Sequence, residues 1–105
     1  MAWLLLVSAG LVEIVMAAAL KASDGWSRPW PGVLGVAAGL LSIALLTQAL
    51  KSLPTGMAYA VWTGIGAVGV ALLGMLAHGD GASPIRLTCI GLIVAGIAGL
   101  RWTEA

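Results

Sequence analysis

The chain has 105 residues, 61% of them hydrophobic and only 9% charged, with a formal net charge of +1. Soluble domains carry about 25% charged residues, so this composition excludes an ordinary soluble domain. With no basic patch it also gives no footing for nucleic acid. Four membrane spans of about 20 residues each would occupy nearly the whole chain, which leaves no room for a soluble catalytic domain. The expectation is a single transmembrane domain, 1–105, of the all-α membrane class.

The first span is read from Trp3 to Leu20, with Trp3 and Lys21 at its interfacial ends. Near its middle stands Glu13. A charge at mid-bilayer costs about 2.5–3.5 kcal/mol on insertion scales, and such groups face a bundle interior or a water-filled cavity. Lys21, Arg28, Lys51, Arg86 and Arg101 lie at the ends of apolar runs, so a buried structural ion pair lacks a partner. Glu13 is therefore read as an ion or proton site. Leu6, Gly10, Glu13 and Ala17 share a helix face, and Gly10 and Ala17 leave space beside the carboxylate for a close helix or a ligand. Residues 1–20 are not expected to act as a signal peptide, because no Lys or Arg precedes the run and Glu13 interrupts it.

A turn-rich loop, Ala22 to Pro31, carries Trp26 and Trp30 at headgroup level. Span two follows over about 32–50. Its Ser42 sits near mid-depth, either bonded back to an i−4 carbonyl or bonded to a cavity carboxylate. Lys51-Ser52-Leu53-Pro54 makes a tight connection to span three, about 55–77. There Tyr59 and Trp62 stand inside the run, away from the interface where such side chains usually anchor. Gly64, Gly66 and Gly69 lower helix propensity in mid-span, for packing or as a hinge. His78 falls in a solvated loop. Span four, about 85–102, repeats Gly91, Ala95 and Gly99, with Gly96 beside them. Such a small-residue stripe favours close helix contact, so assembly is its expected role. Cys89 reads as a small buried hydrophobe.

With four spans, Lys21, Arg28 and Arg86 lie on one side of the membrane, and Lys51 and Arg101 on the other. Three against two is a weak bias under the positive-inside rule. Such a chain can insert both ways and pair as an antiparallel dimer, bringing two Glu13 carboxylates towards one cavity. A four-helix monomer this small hardly encloses a polar cavity alone. From the residues, coupled transport at Glu13 stands beside two alternatives: a structural assembly subunit, and a pore with a ring of Glu13. An enzyme is not expected, since no nucleophile–base pair or metal set is visible, and neither metal nor cofactor is called for.

The pattern closely resembles the small multidrug resistance family of proton-coupled exporters over nearly the whole chain. The resemblance rests on Gly10-Leu11-Val12-Glu13-Ile14-Val15, the Leu20-Lys21 end, and Leu53-Pro54-Thr55-Gly56-Met57-Ala58-Tyr59-Ala60-Val61-Trp62. Trp62-Thr63-Gly64-Ile65-Gly66-Ala67, Arg86-Leu87 and the ending Gly96-Ile97-Ala98-Gly99-Leu100 look like its guanidinium-exporter subtype. The resemblance implies an antiparallel, dual-topology homodimer in the bacterial inner membrane. It implies that this dimer exchanges protons for guanidinium or another small organic cation. It further implies that Glu13 is the proton- and substrate-binding carboxylate, with Ser42 and Trp62 as its hydrogen-bonding partners. Tyr59 would be the cavity tyrosine and Gly10 a small binding-site position. Gly64 and Gly66 would let the third helix bend, and span four would hold the dimer together.

Met16 departs from the subtype, which usually has Trp one turn after the glutamate. Methionine is flexible and donates no hydrogen bond, so selectivity is expected to widen towards apolar-substituted cations such as quaternary ammoniums. The alternative is that a paired family member supplies the missing group in a heterodimer. Gly39 and Ile43 border Ser42 where a lateral portal to lipid is expected.

Overall fold

Backbone that crosses lipid must satisfy its polar groups internally, which favours helices of about 20 residues. The computed structural model describes residues 1–103. Among them the chain forms four helices: α1 (Ala2–Ala22), α2 (Pro29–Ala49), α3 (Thr55–Ala77) and α4 (Pro84–Thr103). All four are long and apolar enough to cross a membrane.

Prolines set three of the four helix starts. Pro29 opens α2 at its first positions, where a missing N–H costs nothing, and Arg28 before it is extended. Helix α2 therefore begins ahead of the apolar run that marks it in the sequence. Pro54 caps α3, and Pro84 begins α4, where the Ser83 hydroxyl accepts the Arg86 N–H at 3.2 Å. The α1–α2 loop is tighter than its composition suggests. Asp24, Gly25 and Trp26 take φ values of 49°, 67° and 73° in succession, and the Arg28 N–H closes the turn on the Ser23 carbonyl at 3.0 Å. Trp26 is the costly member, because a bulky side chain rarely adopts a left-handed backbone.

Helix α1 is the centre of the bundle. It packs along α2 on one side and α3 on the other, while α4 packs along α3 and meets α1 where Arg101 stacks on Trp3. The Cα envelope is a slab, 43 × 35 × 17 Å. Leu6, Ala9, Leu46, Ala49, Ala58 and Val61 form the buried core. These residues come from the halves of α1, α2 and α3 nearest the tight second loop, so the three helices converge there.

Lipid tails are as apolar as leucine, so helix association in the membrane relies on close packing. The glycines supply it. A Cβ at Gly35 would lie 2.6 Å from Leu20 Cδ2 and 3.3 Å from the Leu20 backbone nitrogen. A Cβ at Gly10 would lie 2.6 Å from Ile65 Cγ2, and one at Gly64 2.9 Å from Ile97 Cδ1. By contrast, nothing lies within 4 Å of a Cβ at Gly56. Gly35→Leu should therefore force α1 and α2 apart and destabilise the protein by about 1–3 kcal/mol. Gly56→Leu should be neutral or slightly stabilising. Thermal unfolding of both variants in detergent tests the pair; equal melting temperatures would contradict this packing.

Candidate substrate site

Across the middle of the slab, α1, α2 and α3 line an open cavity of about 300 Å³. Its walls are Glu13, Met16, Gly39, Ser42, Ile43, Tyr59, Trp62 and Thr63. Seven of these eight stand out in the sequence, and the structure brings those seven into one concavity. Thr63 does not stand out there. Its i+4 spacing from Tyr59 was the available signal, since it puts a hydroxyl one turn along the same face.

Glu13 points from α1 towards α3. Its Oε1 lies against Gly66, where a Cβ would collide with the carboxylate, so glycine is required there for the carboxylate to sit as it does. Its Oε2 is buried and accepts no hydrogen bond from the described residues. Buried polar atoms are nearly always paired. This one has no partner among the described residues.

Ser42 and Trp62 do not bond the carboxylate in this conformation. The Trp62 indole N–H donates to Ser42 Oγ at 2.9 Å, and the Ser42 hydroxyl donates to the Ala9 carbonyl at 2.6 Å. Ser42 thus follows neither course expected of it, the i−4 carbonyl or the cavity carboxylate. It is Thr47 that bonds back along its own helix, to Ile43 at 2.8 Å. In a regular helix the Ala9 carbonyl also accepts the Glu13 N–H. The bond chain therefore runs from α3 through α2 to the turn of α1 that carries Glu13.

Tyr59 and Trp62 pack edge to face, centroids 5.3 Å apart at 65°, and Tyr59 is 56% exposed on the open side of the slab. Met16 fills the space beside Gly39, its sulfur 2.9 Å from where a Cβ would be, while Ile43 is 53% exposed. The space at Gly39 is thus occupied by a movable thioether, not left empty.

The remaining candidates lie elsewhere. Gly10 is buried under Ile65 at the α1–α3 contact and does not line the cavity. Gly64 faces α4, whereas Gly66 faces Glu13, and α3 runs through both without interruption. Gly91, Ala95, Gly96 and Gly99 are all exposed on α4, and no atom lies within 4 Å of a Cβ at any of the three glycines. Cys89, expected to be buried, is exposed on the same helix. Among the described residues no group of His, Cys, Asp or Glu could hold a metal ion.

The sequence profile described as Small Multidrug Resistance protein matches residues 1–93. Proteins named guanidinium exporter from Salmonella typhimurium strain LT2, Citrobacter freundii and Escherichia coli O6:H1 are each 54% identical over 101 residues, which is 96% of either chain. Four membrane-length helices and a matched family profile over most of the chain lead to one conclusion: this is a multi-pass bacterial inner-membrane protein that belongs to the small multidrug resistance family.

Proposed function

We propose that the protein exports guanidinium and related small organic cations in exchange for protons, using Glu13 as the shared site. The observation that carries this reading is the buried, unpartnered Glu13 Oε2 in a cavity of otherwise neutral walls. The names of the relatives at 54% identity supply the substrate.

Guanidinium is planar and presents its N–H groups in a fork that matches carboxylate oxygens. A bound cation favours the ionised carboxylate, and a bound proton neutralises it, so the two exclude each other. Exclusion at one site, combined with alternating access, makes transport of one obligatorily opposed to transport of the other. The Trp62–Ser42–Ala9 bond chain would hold the Glu13 turn in place, and Tyr59 would close over the cation.

The cavity lies on an open face of a slab 17 Å thick, which supports a second copy as its missing wall. In an antiparallel homodimer the two faces exchange roles, and the two Glu13 groups titrate as a coupled pair. The exposed stripe on α4 is then the assembly surface, and Gly64 and Gly66 are the positions at which α3 bends. A partner subunit of the same family could complete the cavity instead. No enzymatic chemistry is proposed.

A second reading, a broader exporter of quaternary ammoniums, draws on Met16. Where the subtype usually has Trp, this chain has a deformable thioether lying over Gly39. If it swings aside, an apolar tail could pass Gly39 and Ile43 into lipid while its charged head stays at Glu13.

Glu13→Gln keeps the shape and removes titration. It should abolish coupled guanidinium transport in proteoliposomes and leave the melting temperature within a few degrees of the parent. The parent protein should release protons when guanidinium binds in detergent, and the variant should not. Proton-driven uptake by Glu13→Gln would sink the proposal.

Equilibrium binding across a series of alkylguanidiniums tests the portal. Each buried CH₂ contributes about 0.8 kcal/mol, so two added carbons should tighten binding about tenfold. A flat or falling trend would leave a closed, guanidinium-selective pocket.

A further inference from the structure

The back of the slab carries a furrow that the cation site does not use. Helices α1 and α4 flank α3 without any pair of their Cα atoms coming within 8 Å. Two adjoining cavities fill the gap, of about 500 and about 330 Å³, and they share Ile65, Val94 and Ile97. The α1 side of the furrow runs from Trp3 to Ile14, about 16 Å at 1.5 Å per residue. That is half of a hydrocarbon core about 30 Å thick, which is the depth of one leaflet. The furrow closes at Gly69, where α1 and α3 come together with Ile14 packed on the glycine.

At the mouth, the Arg101 guanidinium stacks on the Trp3 ring, 4.8 Å from its centroid. Stacking of this kind holds the planar fork in place. The described carboxylates are directed elsewhere. Asp24 and Asp80 belong to the loops at the opposite end of the bundle, and Glu13 lines the other cavity. An apolar slot about one leaflet long thus ends in an oriented cation where α1 begins and α4 ends.

We propose that this furrow holds one acyl chain of an anionic phospholipid, with the lipid phosphate on Arg101. A second copy of the chain is the competing occupant, but the small-residue stripe addresses a different direction. At 3.6 residues per turn, Ala95 at the centre of that stripe lies about 100° around α4 from Val94. A copy packed over Ala95 and Gly99 leaves Val94, Ile97 and Arg101, each about 100° or more around the helix, turned towards lipid.

The test is native mass spectrometry of the intact protein released from detergent, with equimolar dioleoyl phosphatidylglycerol and dioleoyl phosphatidylcholine. The parent protein should retain the anionic lipid about fivefold over the zwitterionic one. Arg101→Gln should bring the two to near parity. Lys51→Gln, at the same end of the bundle but outside the furrow, should leave the preference intact. Ala98→Trp, which fills the furrow, should lower retention of both lipids, and it decides the matter alone if Arg101→Gln does not fold. Equal retention by the parent, or an unchanged preference in Arg101→Gln, overturns the proposal. So does competition by glycerol phosphate as effective as that of the lipid, which would reduce the site to an anion site. Conversion of dimers to monomers by Ala98→Trp in the same spectra would make a second copy the occupant and overturn it as well.

Discussion

A carboxylate buried halfway through a bilayer, with one oxygen pressed on a glycine and the other unpaired, is the constraint around which this protein is arranged. Mid-membrane charge is expensive, and nothing in the helix that bears it offers compensation. The surrounding structure places Glu13 in the wall of a cavity on one side and against Gly66 on the other. Gly66 makes the shelter possible, since any side chain there would displace the carboxylate. Met16, Gly39 and Ile43 keep the open side apolar, so that the carboxylate is the only formal charge in the cavity.

The polar groups near Glu13 are tied to the backbone and not to the carboxylate. The Trp62 indole and the Ser42 hydroxyl are both used in a bond chain that ends on the Ala9 carbonyl. This arrangement links three helices at the depth of the site without neutralising Glu13. An acceptor left free and buried costs free energy. The Ser42 bond ties α2 to α1 at the turn that carries Glu13.

The two faces of the slab differ in kind. One face holds the cavity, with Tyr59 exposed at its edge. The other holds the furrow between α1 and α4, whose backbones stay apart while α4 packs along α3. Helix α4 has no buried residue, and no atom among the described residues lies within 4 Å of a Cβ at Gly91, Gly96 or Gly99.

Much of the architecture was legible from the residues. Four apolar runs of membrane length dictate four helices, because no other backbone arrangement of such runs satisfies its polar groups in lipid. A lone mid-span carboxylate and aromatics placed away from the interface mark Glu13, Tyr59 and Trp62 as the residues to follow. Azimuth was not legible. Helical spacing relates residues within one helix, but a helix that is apolar all round carries no sign of which side faces which neighbour. Hence Gly10 proved to lie under Ile65 and not in the cavity, and Gly64 and Gly66, two positions apart, face different helices. Hence also the partner of Ser42 is a carbonyl 33 residues away, which no local pattern encodes. The left-handed run at Asp24, Gly25 and Trp26 likewise includes a bulky residue in a conformation that its type does not favour. Helix content follows from local chemistry and the demands of lipid; which faces meet follows from the close approach of particular glycines, and that exists only once the helices are packed.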